Sequence, residues 1–232
     1  MTFLRSSPPV AARHDIYVAI HKGLRAFMTD TLQRFGRLDP DDAAEVGQRL
    51  DALEALLEMC DAHIDHENRV IHPALEAASP GSSEVATDDH VDHQVAIARL
   101  RRLADELRGA PPGARTALVL RLYRALSCFV GDNLLHMHVE ETEHNAQLWQ
   151  AYTDAELQAL EGQIVASLSP HELMQCVRWM VPAVSPAERL ELLAPMAAAM
   201  PPAVFEDVYA IVRGHLSVRD FAKLERGLRR AA

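Results

Sequence analysis

Three histidines and three glutamates fall within twelve residues, LLHMHVEETEHN, from Leu134 to Asn145. In a helix, His136, Glu140 and His144 stand at i, i+4 and i+8 and share one face. A second stretch repeats the unit, with His63 and Glu67 also four apart. An imidazole and a carboxylate one turn apart can both reach one metal centre. Mixed donors of this kind suit iron, and also zinc or manganese. A surface helix carries such charges for solubility alone, so the elements around these residues decide between the two readings.

Chain breakers divide the first 150 or so residues into four helical segments. Helix A runs from about Arg13 to Phe35. Helix B follows the turn Gly36-Arg37-Leu38-Asp39-Pro40, with Asp39 as N-cap and Pro40 at the first helical position, and ends near Ala77. Helix C spans about Glu84 to Arg108. Helix D runs from about Ala114, after Pro111-Pro112-Gly113, to Ala151. Short connections make this an all-α, up-down-up-down four-helix bundle. In that topology His21, His63, Glu67, His90, His93, His136 and Glu140 all lie ~10–20 Å from one end of the bundle. They sit on or beside apolar stripes: Leu24, Phe27 and Met28 on A, Leu53, Leu56 and Met59 on B, Ile97, Leu100 and Leu103 on C, Leu126, Phe129 and Val130 on D.

Donors from four helices at one level are what a binuclear metal site in a bundle core requires. Glu67 and Glu140 are the bridging candidates, because two carboxylates span two ions and offset their charge. Buried without metal, the set would cost several kcal/mol. An exposed, metal-free bundle gives no reason for the common level. The other polar residues read differently. His14, two turns before His21, reads as a residue that supports the site from outside or as one of the bundle end. His72 points ~180° from His63 on an ideal helix and so faces away. His66 and His138 read as surface or outlying residues, and His144 as a weaker candidate one turn beyond Glu140. Tyr17 and Tyr123 are hydrogen-bond donors within reach. Cys60, three before His63, has a minor claim as a ligand; Cys60, Cys128 and Cys176 otherwise read as buried thiols of a reducing compartment.

The ordered pattern H…HxxxE…H…HxxxE resembles the hemerythrin family, in its HHE cation-binding branch. The segments that carry it are IHKGLRAFM, HIDHENRVIHPAL and LLHMHVEETEH, with Pro73 six residues after Glu67 matching the end of that family's second helix. The resemblance covers about residues 12–150. It implies a non-heme di-iron centre that binds O2 or related small molecules. Two departures stand out. Oxygen-carrying members use an HxxxH pair on the third helix, where this chain has His90-x-x-His93, which share a face so that either both ligate or one stands behind the other. They also place an acidic ligand where Glu141 stands, whereas the HHE pattern prefers Glu140.

The chain has 232 residues, of which 49% are hydrophobic, enough for a real core. A net charge of −10 without a Lys/Arg cluster argues against nucleic acid and anionic membranes as partners. No apolar run approaches the roughly 18 residues of a membrane span. The segment MTFLRSSPPVAARHD lacks the apolar core of a signal peptide, so cytoplasmic is the expected location. Beyond the bundle, expected over residues 1–152, residues 153–232 form a short-helix extension. Capping boxes at Thr153-x-x-Glu156, Ser169-x-x-Glu172 and Ser185-x-x-Glu188 open three helices, Pro201-Pro202 opens a fourth and Ser217 caps a fifth. The extension carries no donor cluster and reads as structural or as an interaction surface without a named partner. The expected whole is a protein with two iron ions that binds O2 or senses O2, NO or peroxide, rather than an enzyme. A di-iron enzyme acting on peroxide or NO, or an iron storage or sensing protein, is the alternative.

Overall fold

The structure is a computed structural model and describes residues 13–231. The signal-peptide reading rests largely on residues 1–12 and falls outside them. Regular structure in the described residues is entirely helical. The bundle comprises α1 (Val18–Phe35), α2 (Ala43–His66) continued by α3 (His72–Ala78), α4 (Glu84–Arg108), and α5 (Pro112–Val139) continued by α6 (Asn145–Ala151). Around the ring, α1 packs on α2 and α5, and α4 on α2 and α5, which is the up-down-up-down arrangement.

Two helix starts differ from expectation, each for a local reason. The first helix begins at Val18 rather than Arg13, because the Asp15 carboxylate takes the amides of Tyr17 and Val18, both at 3.0 Å. Arg13 instead reaches Asp154 and the carbonyls of Trp149 and Tyr152, tying the entry of the bundle to its exit. The second helix is capped by Asp42, not Asp39. Asp42 accepts from Ala44 and Glu45 at 2.9 and 3.0 Å, which satisfies amides that have no intrahelical partner.

A larger departure lies inside the two long helices. Between α2 and α3, Glu67–Ile71 forms a π-helical turn, and between α5 and α6, Glu140–His144 forms another. Each begins at the glutamate of an HxxxE unit. A π turn adds a residue to the helical repeat and rotates the downstream segment by ~100° relative to a continuous α-helix.

The apolar side chains form two bundle clusters with the His/Glu layer between them. One contains Leu24, Leu53, Ile97 and Leu126; the other contains Ile16, Tyr17, Ile71, Leu75 and Leu148. Beyond the bundle come α7 (Asp154–Ser167), α8 (Pro170–Ala183), α9 (Pro186–Ala199), α10 (Pro202–His215) and α11 (Val218–Ala231). The three capping boxes form as expected. The Ser217 hydroxyl accepts from the Asp220 amide at 3.1 Å. The starts at 153, 169, 185, 201 and 217 recur at a fixed interval, and α8 packs along α10 while α9 packs along α11. Their shared core holds Val177, Val181, Leu193, Val208, Val212 and Leu224. The extension is also joined to the bundle. Trp179 of α8 stacks on Phe27 of α1 with ring centroids 3.9 Å apart.

Candidate metal centre

Four helices deliver six side chains to one buried point. His21 comes from α1, His63 and Glu67 from α2 and its π turn, His90 from α4, and His136 and Glu140 from α5 and its π turn. Their donor atoms fall into two groups, one of His21, His63, Glu67 and Glu140, the other of His90, His136, Glu67 and Glu140. Both glutamates belong to both groups, through different oxygens. Glu67 Oε1 lies 3.2 Å from His63 Nε2 and 3.8 Å from His21 Nε2, and its Oε2 lies 3.3 Å from His90 Nε2. Glu140 Oε2 lies 3.4 Å from His21 Nε2, and its Oε1 lies 3.3 Å from His136 Nε2.

Among the described residues, six of these atoms are buried without a hydrogen-bond partner: Nε2 of His21 and of His63, and both oxygens of Glu67 and of Glu140. Buried polar atoms are ordinarily paired, and an unpaired one costs on the order of 1–3 kcal/mol. Six atoms of metal-ligating type, converging from opposite walls, fit a pair of cations.

The reverse sides of three imidazoles are anchored. His21 Nδ1 lies 3.1 Å from Glu141 Oε1, His90 Nδ1 lies 2.8 Å from Asn68 Oδ1, and His136 Nδ1 lies 3.1 Å from Asp89 Oδ2. An oxygen acceptor at Nδ1 holds the proton there and leaves Nε2 as a bare lone pair, the tautomer a metal needs. Glu141 is itself held by Arg25 through both carboxylate oxygens. It therefore stands behind His21, away from the converging oxygens.

The charges are balanced only by retaining protons. Burial disfavours a charged His21, but its contacts with Glu141, Glu67 and Glu140 outweigh this and lift its pKa to about 9. His136 behaves alike, burial being overcome by Glu140, Glu67 and Asp89, and also rises to about 9. Burial drives His63 down to about 3 against the pull of Glu67. Burial alone would raise Glu67, yet His63, His21 and His90 hold it well below the carboxylate range, while burial and the neighbouring Glu67 charge push Glu140 up. Two adjacent buried carboxylates tolerate ionisation only beside positive charge.

His93 is not brought into either group. Its ring meets His136 edge-on at 4.9 Å and Phe129 at 6.2 Å, so it braces His136. His72 does not face away as the ideal helix implies. The π turn swings it inward, where it is buried and stacked on His90 at 4.8 Å with an interplanar angle of 8°. His66 is likewise buried rather than on the surface, while His138 is exposed. His144 is buried and pairs through Nδ1 with the Tyr17 hydroxyl at 3.3 Å. Tyr17 stacks on His21 at 5.2 Å. Tyr123 packs against the apolar core instead. His14 sits 3.0 Å from Glu161 of α7, at the bundle end. Cys60 lies in the apolar core outside both groups, and burial pushes its thiol well up. Cys128 is exposed and Cys176 half-buried, contrary to the expectation of three buried thiols. Sequence reading missed Asp89 and Asn68, whose partners lie on other helices. Arg25 had a legible signal, standing one turn after His21 on the same face.

The chain matches the hemerythrin HHE cation-binding domain over residues 13–148, more than half of its length. It belongs to the hemerythrin family. The matched hemerythrin domain takes in all six converging residues and ends within α6, so α7 to α11 lie beyond it. Comparison with curated proteins and with solved structures returns no match. Family membership makes the bundle a cation-binding fold, and no described helix is long and apolar enough to cross a membrane.

Proposed function

We propose that this hemerythrin domain holds two iron ions and reversibly binds O2 or responds to O2, NO or peroxide. His21 and His63 would serve one ion and His90 and His136 the other, with Glu67 and Glu140 spanning both. The observation that carries the reading is the sharing of both glutamates, through opposite oxygens, by two separate histidine pairs. Bound iron of this kind supplies a redox-active site for a small diatomic or peroxide ligand. The protein's part is to hold four Nε2 lone pairs bare, three of them through Nδ1 anchors, to balance charge with two carboxylates, and to flank the centre with an apolar cluster on either side.

The three free thiols are compatible with a reducing compartment, and we place the protein in the cytoplasm on that ground. Metal analysis with optical spectra under argon and under air tests the proposal. Two irons per chain and a reversible air-dependent band support a carrier or sensor. Sustained turnover of peroxide or NO would instead support the enzyme reading. A folded protein that retains no iron after growth with ample iron rejects both.

A further inference from the structure

A cavity of ≈ 380 Å³ lies between the bundle and the extension. Its walls come from α1 and α2 on one side and from α7, α8 and α9 on the other, and His63 and Glu67 form part of its surface. The extension is thus more than a cover for the bundle, because it supplies the facing wall of this cavity. A diatomic ligand needs a small fraction of this volume, which falls in the ordinary range of organic ligand sites, about 300–1,000 Å³.

The lining narrows the class of occupant. Among the described residues, nine of the twenty-nine that line it carry a carboxylate, an imidazole or a side-chain amide: five glutamates, three histidines and Gln175, with no Lys or Arg. An anionic ligand would meet carboxylates and no counter-charge. The remaining lining is apolar and includes Met59, Met180, Met196 and Met200, four of the eight methionines in the chain. Methionine is unbranched and polarizable, so such a wall moulds itself to differently shaped apolar molecules. Glu58, Val165 and His171 are exposed and mark where the cavity meets solvent, whereas Glu67 is buried at its inner wall.

We propose that this cavity binds an apolar organic molecule, uncharged or cationic, of a size that fills much of its ≈ 380 Å³, and brings it against the His63–Glu67 side of the centre. Binding as such requires only the cavity. The placement of the molecule beside a metal rests on the di-iron reading.

The full-length chain is titrated with the neutral dye Nile red and, in parallel, with the anionic dye 8-anilinonaphthalene-1-sulfonate. The expected result is saturable one-site binding of Nile red and at least tenfold weaker binding of the sulfonate. Methyl-labelled methionine spectra of the zinc-treated, diamagnetic protein then locate the dye. Resonances of Met59, Met180, Met196 and Met200 shift on addition, while those of Met28 and Met137, buried in the bundle core, stay put. Met196→Trp, which fills the chamber from α9, weakens Nile red at least tenfold with metal content unchanged. If that variant does not fold, the methyl spectra of the unaltered chain still decide. Non-saturable binding, equal affinity for both dyes, or shifts that spare the four cavity methionines overturn the proposal. Dye binding at these methionines in a protein that holds no metal refutes only the di-iron reading. In iron-loaded protein, a change of the optical spectrum on dye binding is expected, and its absence removes the placement beside the centre.

Discussion

His90 Nε2 and His136 Nε2 lie 3.0 Å apart at the centre of the bundle, while their Nδ1 atoms reach outward to Asn68 and Asp89. If both Nδ1 atoms carry protons, two lone pairs face each other at hydrogen-bond distance. Only a shared proton or a cation makes that arrangement favourable. Glu67 Oε2 and Glu140 Oε1, 3.3 Å from the two nitrogens, complete a donor set that a proton uses poorly and a metal uses fully.

Removing a shared glutamate should therefore damage both halves of the site. Glu67→Ala and Glu140→Ala are each expected to lower metal content from roughly two ions per chain to well below one. His93→Ala, which removes a brace, should keep most of the metal. Elemental analysis of the three purified variants decides. Retention of two ions by either glutamate variant would show that the carboxylates do not bridge. His72→Ala is expected to fall between, because the ring stacks on His90 without belonging to either donor group.

The anchors behind the imidazoles give a finer test. Asp89→Ala frees the Nδ1 of His136, and Asn68→Ala frees that of His90. Loss of such partners costs ~10–100-fold in metal affinity. Competition with a chelator of known affinity should show weakening in that range for both variants. The exposed His138→Ala should match the parent. Unchanged affinity in both anchor variants would mean that ring orientation is fixed by packing alone.

Protons and metal compete for the same nitrogens, which fixes the sign of a pH effect. His21 and His136 hold a proton to about 9 in the absence of metal, against an ordinary value of 6.5. A raised pKa stabilises the metal-free fold fully below 6.5, and that contribution is lost as pH rises to about 9. The metal-loaded fold has already released these protons and gains nothing from them. The difference in melting temperature between loaded and chelated protein should accordingly widen between pH 6.5 and 9, and metal uptake near neutrality should release protons. A difference that narrows over this interval would contradict the assignment of these two histidines.

Much of the bundle was legible because breakers and caps act locally and apolar stripes have the helical period. The level of His21, His63, Glu67, His136 and Glu140 came from counting residues along antiparallel helices. Legibility failed where the ideal helix fails or where contacts are distant. His72 was misdirected because nothing in ENRVI announces a π turn, and one added residue reverses the inference about its face. The choice between His90 and His93 depended on the rotation of α4 against α5, which i, i+3 spacing leaves open. Asp89 and Asn68 gave no signal because their partners are set by packing between helices. The cavity joins residues more than a hundred positions apart, and only the docking of α8 on α1 brings its walls together.

An added Cβ at Gly23 would lie 2.8 Å from the Met180 side chain and 3.2 Å from the Met180 backbone, so glycine is what allows α1 and α8 to approach closely. Beside it, Trp179 stacks on Phe27. Gly23→Leu should wedge the helices apart, and Trp179→Ala should remove the stack at a cost of about 2–4 kcal/mol, somewhat under that of a fully buried aromatic. Neither change touches a donor group, so metal stoichiometry should remain that of the parent. Deleting residues 153–232 goes further, because it exposes the face of Phe27 and the apolar wall of the cavity. If the truncated chain stays soluble, it should still bind metal, with a lower melting temperature than the full chain. A soluble, helical, monodisperse bundle without metal would show that the extension supplies ligands. A truncated or Gly23→Leu protein as stable as the parent would show that the contact between α1 and α8 contributes little to holding the two parts together.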